Sequence, residues 1–151
     1  MVSGFKQARG LAFAVPLALM LGAWGSQYIG GLSPCEMCVW QRWPHLAAIA
    51  IAALAFVLPR REIVALAAVA ILISGAIGAF HAGVEYKWWE GLTRCSQMPG
   101  GRSISDIMST PLVRCDEAQW TLFGVSLAGY NALLSSGAAL IILGLLGRKS
   151  T

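Results

Sequence analysis

Four long stretches of this chain contain no Lys, Arg, Asp or Glu, and they restrict its fold more than any other feature. They cover residues 10–35, 43–59, 63–84 and 118–147. A membrane-spanning helix needs about 20 apolar residues, because each residue adds about 1.5 Å along the helix axis. We therefore predict four spans, at residues 10–30, 43–59, 63–83 and 121–146. The predicted fold class is all-α, an integral membrane four-helix bundle in which residues 1–151 form a single domain.

The composition excludes several common classes of protein. Only 12% of the residues are charged, whereas an ordinary soluble domain has roughly 25%. The formal net charge is +4, but so few charged side chains cannot form the dense basic face that nucleic-acid binding requires. We therefore expect no nucleic-acid partner. Intrinsic disorder is excluded too, because it requires low hydrophobicity and 57% of this chain is hydrophobic.

The first apolar stretch has a second interpretation. Lys6 and Arg9 precede it and Ala23-Trp24-Gly25 lies near its end, which is also the order of a secretory signal with a small-residue cleavage site. However, the uncharged stretch is longer than a usual signal core, and cleavage would leave an odd number of spans. We therefore predict that the segment remains in the protein as its first span.

The charges in the connections between the spans predict the orientation. The two terminal tails and the connection at Arg60-Arg61 together carry a net charge of +5, whereas the other two connections carry −1. Cytoplasmic connections of membrane proteins are enriched in Lys and Arg, so both termini are predicted to be cytoplasmic. The loops at about residues 31–42 and 84–120 then face outward.

All four cysteines lie in the predicted outward loops, Cys35 and Cys38 in the first and Cys95 and Cys115 in the second. An oxidising exterior favours disulfides. A zinc site would need closely spaced ligands, but 19 residues separate the second pair and no histidine is near either pair in the sequence, so we predict no metal. A structural disulfide fits the second pair, where closing such a loop contributes roughly 3 kcal/mol. The C-x-x-C pair instead fits a redox pair with a lowered thiol pKa.

The residues around the C-x-x-C pair predict a helix that begins at Cys35. Ser33 is a favourable N-cap and Pro34 is favourable at the first helical position. The first turn of a helix favours a thiolate over a thiol, because its free N–H groups and dipole attract negative charge. Arg42 would share a helical face with both cysteines. It either stabilises a thiolate and contacts an electron acceptor or anchors the helix at the membrane interface.

The segment of residues 35–42, C-x-x-C-x-x-Q-R, resembles the signature of the DsbB family of quinone-dependent disulfide-forming proteins of the bacterial inner membrane. The resemblance covers nearly the whole chain. It includes four spans, a cysteine pair in each outward loop, and a run that leads from Cys115-Asp116-Glu117 through Trp120 into Phe123-Gly124-Val125-Ser126.

This resemblance implies a relay of electrons from a DsbA-like thiol oxidase of the periplasm to a membrane quinone, either ubiquinone or menaquinone. Cys95 would be attacked by the partner's dithiol, and the released Cys115 would link transiently to Cys35. Cys38 would then face the quinone as a thiolate, with Arg42 near the quinone. The implied protein is an enzyme, with its cysteines in the periplasm, and we expect a monomer.

Two alternatives to this relay remain. A quinone reductase of the vitamin K epoxide reductase type has similar C-x-x-C chemistry, but its motif lies late in the chain, whereas here it precedes the second helix. A non-catalytic membrane protein with structural disulfides in its outer loops is the other alternative.

Several further residues carry weaker predictions. His81 is assigned to the quinone site, either lining it or transferring a proton, while the simpler interpretation is an interfacial histidine paired with Glu85. Asn131 and His45 are predicted to form hydrogen bonds between helices. Trp88-Trp89 fits an interfacial aromatic belt. Residues 103–108 fit a short helix on the membrane surface or a simple turn.

Overall fold

The computed structural model of the chain describes residues 2–93 and 113–148, and the side chains of all of these except residues 2 and 3. Four helices dominate the described part: α1 (Val2–Tyr28), α2 (Glu36–Val57), α3 (Arg61–Glu85) and α4 (Leu127–Gly147). The helix α3 packs most extensively against α2 and α4, while α1 packs against α2 and α4 and barely meets α3. The four helices therefore form a bundle with α1 and α3 on opposite sides.

Three of the described helices are long and apolar enough to cross a membrane: Gly4–Tyr28, Arg61–Glu85 and Leu127–Gly147. This supports a membrane protein. Residues 43–57 of the span predicted at residues 43–59 belong to α2, which ends at Val57 and whose first half is more polar because it contains Gln41, Arg42 and His45. The fourth span therefore stays a prediction.

Small residues let α3 and α4 approach closely. A Cβ added at Gly75 would lie 2.6 Å from Ser136 Oγ, and one added at Gly78 would lie 3.0 Å from both Ala128 O and Asn131 Nδ2. Small residues at helix contacts are typical of bundles in lipid, where van der Waals packing and hydrogen bonds drive association. The close approach places the Asn131 side chain inside the bundle, against α3.

A β-hairpin between the second outward loop and α4 was not predicted, so the all-α prediction is wrong for these residues. The strands β1 (Thr121–Leu122) and β2 (Val125–Ser126) pair antiparallel. They are joined by Phe123 and Gly124, which both have positive φ angles (50° and 77°), as a tight hairpin turn requires. Ser126 then caps α4 by accepting a hydrogen bond from Gly129 N at 3.1 Å. The last helix consequently begins at Leu127 rather than at residue 121.

The start of α2 also differs from the prediction. The helix begins at Glu36, and Cys35 is its N-cap, with extended backbone angles (φ −77°, ψ 171°). The capping acceptor is therefore the sulfur of Cys35 rather than the hydroxyl of Ser33. Pro44 lies inside α2, and the helix continues past it to Val57. The predicted short helix at residues 103–108 lies outside the described residues.

Candidate functional site

The C-x-x-C pair lies at the N-terminus of α2, before the predicted span at residues 43–59. Both cysteines are free thiols, with their sulfurs 2.8 Å apart. The Sγ atom of Cys35 accepts a hydrogen bond from Cys38 N at 3.2 Å. Cys35 is only 3% exposed, while Cys38 is half-buried. The pair is thus presented by the first turn of the helix, with Cys38 as the more accessible sulfur.

The two thiols are electrostatically unequal. The hydrogen bond from the Cys35 thiol lowers the pKa of Cys38, and a backbone hydrogen bond from Cys35 and the positive charge of Arg42 lower it further, while burial and the negative charge of Glu85 oppose them. The same sulfur–sulfur hydrogen bond raises the pKa of Cys35, and burial adds to that increase. Of the two sulfurs, Cys38 is therefore the one whose surroundings favour the thiolate, as the position in the first helical turn suggests.

Cys115 is brought next to this pair although it follows the second loop. It is 2% exposed and packs in one buried cluster with Cys35, Met37 and Val84. Its Sγ atom accepts a hydrogen bond from the Thr93 hydroxyl at 3.3 Å. Cys115 and Cys35 thus share one buried cluster at the end of the bundle where α2 begins.

An ionic cluster holds the residues after Cys115 against α3. The Nζ atom of Lys87 lies 2.6 Å from both the carbonyl oxygen and Oδ2 of Asp116, and Arg114 contacts the same carboxylate at 2.7–2.9 Å. The Arg114 hydrogen bonds, followed by that of Lys87, hold the pKa of Asp116 far below its usual range. Such exposed ion pairs contribute little stability each, so we assign this cluster a positioning role.

A chain of buried polar side chains leads from the cysteines into the bundle. The Nε2 atom of His81 lies 3.6 Å from Cys35 Sγ and 3.2 Å from the Cys115 carbonyl oxygen. Its Nδ1 atom is 2.9 Å from Gln41 Nε2. Gln41 Oε1 accepts from Asn131 Nδ2 at 2.8 Å, and Asn131 Oδ1 lies 2.9 Å from Nε2 of His45. The prediction of interhelical hydrogen bonds for Asn131 and His45 is confirmed.

His81 is buried, being 1% exposed. Its predicted pairing with Glu85 is present, with His81 Nε2 and Glu85 Oε1 3.7 Å apart. The Glu85 side chain is itself 7% exposed, and its Oε2 atom has no hydrogen-bond partner among the described residues. The segment at residues 113–117 covers His81, and the assignment of His81 to the quinone site or to the membrane interface stays a prediction.

A cavity of about 270 Å³ opens beside the cysteines, between α1, α2, α4 and residues 114–120. One wall is the apolar face of α1, from Ala18 to Ser26. The opposite wall is polar and contains Cys35, Cys38, Gln41, Arg42, His45, His81 and Asn131. Arg42 is held there by Gln27 Oε1 at 2.5 Å and the Ala23 carbonyl at 3.4 Å, both in α1.

This cavity fits a planar ring with polar substituents. The apolar wall of α1 suits the ring face, and the Arg42 guanidinium is a hydrogen-bond donor for a carbonyl oxygen. A second polar contact is available at His45, which is 4% exposed and whose Nδ1 atom has no partner among the described residues. The residues present are therefore those a quinone needs.

The structure brings together Cys35, Cys38, Cys115, Arg42 and His81, which are five of the six predicted site residues. The sixth, Cys95, lies outside the described residues. The sequence spacing places no histidine near the cysteines, but folding puts the donor atoms of Cys35, Cys38 and His81 within 4.8 Å of one another. The absence of a metal stays a prediction.

Sequence reasoning assigned no role to Gln41, Ser74 and Thr93, which are all buried and polar. The Ser74 hydroxyl donates to the Gln41 carbonyl at 2.8 Å, which helps to hold α2 and α3 together. For Gln41 and Ser74, the available signal was the occurrence of single polar residues inside otherwise apolar helices, since such residues in membrane spans usually pair with one another and mark functional positions.

Comparisons with known proteins agree on one family. Residues 6–145 match the protein family described as Disulfide bond formation protein DsbB. A Disulfide bond formation protein B of Marinobacter nauticus is 29% identical, over 90% of this chain and 87% of its own. One from a Polaromonas species is 26% identical, over 81% and 79%. An uncharacterized protein of Rickettsia prowazekii is 28% identical, over 94% and 87%. No solved structure matches the chain significantly.

Proposed function

Because the chain belongs to the DsbB family of disulfide bond formation proteins, we propose that it reoxidises a DsbA-like dithiol oxidase of the periplasm and passes the electrons to a membrane quinone. The chain would lie in the bacterial inner membrane, with both termini in the cytoplasm. The observation that carries the proposal is the cavity in which Cys38 and Arg42 meet an apolar wall of α1.

The cysteines divide the electron transfer into two exchanges, which two further displacements complete. The partner's dithiol attacks Cys95 of a Cys95–Cys115 disulfide, and Cys115 leaves as a thiolate. Cys115 next attacks Cys35 of the Cys35–Cys38 disulfide, and Cys38 leaves as the thiolate. The shared burial of Cys115 and Cys35 supports this second exchange, because thiol–disulfide exchange needs close approach of the attacking sulfur. After the two exchanges, the partner's second thiol displaces Cys95 and closes the partner's own disulfide, and the freed Cys95 thiolate attacks Cys115 and releases Cys35 as a thiolate.

The pKa values favour Cys38 as the final sulfur. A thiol with a lowered pKa is the better leaving group in disulfide exchange, and it is Cys38 whose pKa is lowered. Cys38 is also more exposed than Cys35, and it lines the cavity. A bound quinone supplies an acceptor for two electrons and two protons. Arg42 would hold the quinone oxygen close to Cys38, and the apolar α1 wall would exclude water.

Acid trapping tests the relay as a whole. The full-length protein in lipid nanodiscs is reduced, freed of reductant and mixed with ubiquinone, and samples are then quenched in acid and alkylated. We expect all four thiols to disappear as two disulfides form. Thiols that stay reduced with quinone, but oxidise with oxidised glutathione, would contradict the quinone step.

Trapping a mixed disulfide tests the partner. In a Cys115→Ser variant, Cys95 has no internal partner, so a reactive periplasmic thiol oxidase should stay covalently attached through Cys95 and be identified by mass. The matched control is Cys95→Ser, which should capture none. Equal capture by both variants would contradict the assignment of Cys95.

A further inference from the structure

The orientation of two side-chain amides, one buried and one partly buried, is fixed by backbone carbonyl groups. The Nε2 atom of Gln41 donates to Met37 O at 3.1 Å, and Nδ2 of Asn131 donates to Ser74 O at 3.1 Å. A carbonyl oxygen can only accept. Turning either amide over would therefore place two oxygens against each other, so each amide has one permitted orientation.

These orientations determine which nitrogen of His81 carries a proton. Gln41 turns its NH₂ group toward Nδ1 of His81 at 2.9 Å, so Nδ1 must accept and cannot hold a proton. A neutral imidazole has one N–H group, which is then at Nε2. The same contact opposes a second proton on the ring. His81 is thus a hydrogen-bond donor of fixed direction, unsuited to the proton transfer predicted from the sequence.

The Nε2–H group points at the place where Cys115 lies beside Cys35. Its neighbours are the Cys115 carbonyl oxygen at 3.2 Å, Cys35 Sγ at 3.6 Å and Glu85 Oε1 at 3.7 Å. All three accept hydrogen bonds. In the opposite tautomer, a lone pair of Nε2 would face the Cys115 carbonyl oxygen and repel it.

We propose that His81, fixed in its Nε2–H tautomer by Gln41 and Asn131, aligns Cys115 with Cys35 for disulfide exchange. His81 contacts the reacting sulfur directly, while Gln41 and Asn131 are positioning residues that act through it. The inference rests on the proposed relay. In that exchange, the Cys115–Cys35 bond forms, the Cys35–Cys38 bond breaks and the charge moves from Cys115 to Cys38. His81 consequently neither gains nor loses a proton.

Nitrogen NMR of the imidazole tests the tautomer without any assay of activity. In wild-type protein labelled with ¹⁵N-histidine, His81 should show a protonated Nε2 and an unprotonated Nδ1. Gln41→Glu replaces the donor with a carboxylate oxygen and should move the proton to Nδ1. Gln7→Glu, at an exposed position of α1, should leave the spectrum unchanged. A proton on Nδ1 of the wild-type protein would overturn the proposal.

The alignment is tested by the rate at which Cys35 and Cys115 form a disulfide. In a protein that also carries Cys38→Ser and Cys95→Ser, oxidised glutathione oxidises these two thiols and leaves as two molecules of glutathione. His81→Leu should slow closure roughly 10- to 100-fold, the effect of losing one buried hydrogen bond at the reacting groups. His81→Gln, whose amide nitrogen can replace Nε2–H, should restore most of that loss, while His81→Asn should not.

The alignment role would be overturned if the His81→Gln variant formed the disulfide as slowly as His81→Leu does. It would also be overturned if His81→Leu formed the disulfide as fast as the protein with His81. Neither measurement uses quinone or a protein partner. Either of these contradicting closure rates, in a protein that reduces quinone normally, would therefore reject this inference alone. The expected closure rates in a protein that reduces no quinone would reject the proposed function alone.

Discussion

The two ends of the bundle are built from different residues. The half near Arg60-Arg61, called here the alanine half, has a core of small and aliphatic side chains: Ala8, Ala12, Ala48, Ala52, Ala55, Val64, Ala67, Ala68, Ile71, Ala139, Ile142 and Leu146. The other half, the cysteine half, buries Gln41, His45, Ser74, His81, Ser126 and Ser135. Both halves use the same four helices.

This difference separates stability from chemistry. Interhelical hydrogen bonds in membranes contribute only about 0.6 kcal/mol on average, and polar side chains inside a span are expensive to insert. In the alanine half, the packing of small and aliphatic side chains is enough to hold the helices together. The polar groups of the cysteine half are therefore best explained by the reactions of the thiols. Truncation of aliphatic side chains in the alanine half should reduce stability, and replacement of the polar side chains in the cysteine half should reduce activity.

The largest expected effect on stability is that of Ile71→Ala in the alanine half. Ile71 is completely buried, and removing its side chain leaves a cavity. The free energy of unfolding should fall by about 3 kcal/mol, measured by denaturation in mixed detergent micelles. The rate of quinone reduction by folded protein should stay unchanged. A loss of rate without a loss of stability would contradict the division between the halves.

Arg42→Gln should reduce the efficiency of quinone reduction about 100-fold, because it removes a positioned donor from a water-poor site. Arg42 faces the cavity beside Cys38. Steady-state kinetics with a soluble quinone measures the effect. The matched control is Arg61→Gln, at the other end of the bundle, where Arg61 donates to Leu146 O at 3.1 Å. Equal losses in both variants would show that Arg42 acts only through folding.

Gly78→Ala should destabilise the bundle by about 1–2 kcal/mol, because the new methyl group overpacks the contact between α3 and α4. The methyl would lie 3.0 Å from the backbone oxygen of Ala128 and from Nδ2 of Asn131. Gly144→Ala is the control, since nothing lies within 4 Å of a Cβ there. If Gly78→Ala were as stable as this control, the close helix contact would be absent in the membrane.

The smallest effect concerns the pH dependence of the thiols. The pKa of Cys38 is lowered by the Cys35 hydrogen bond and, to a lesser degree, by Arg42, so its thiolate should persist as the pH falls below the ordinary range. Alkylation of reduced protein by iodoacetamide, followed peptide by peptide, should give a lower midpoint pH for Cys38 than for Cys35. Arg42→Gln should raise the Cys38 midpoint. A lower midpoint for Cys35 would contradict the assignment.

Much of the architecture could be predicted, because the uncharged stretches and the charged residues that bound them are local properties of a sequence. Residues 63–84, for instance, lie entirely within α3. The hairpin was missed because Thr121, Leu122 and Val125 continue the apolar pattern of a span, and only the positive φ of Phe123 and Gly124 interrupts it. Propensity says little about a non-glycine residue with such a backbone.

The site could be predicted in part for a similar reason. Cys35, Cys38 and Arg42 are recognised from their spacing along one helix. The contact of His81 with Cys115 joins residues 34 positions apart and depends on how the second loop folds over α3. No spacing rule describes such a contact. Gln41 belonged to the motif, but its bond to His81 becomes visible only once α2 and α3 are packed.

The most direct test of the central claim is the number of quinone molecules consumed by reduced protein in nanodiscs, followed by absorbance in a stopped-flow instrument. Wild-type protein should consume two quinones per chain, one for each disulfide that forms. Cys38→Ser should consume none, while still joining Cys35 to Cys115 when oxidised glutathione is supplied. Quinone reduction by Cys38→Ser at the wild-type rate would contradict the claim that electrons leave the protein through Cys38.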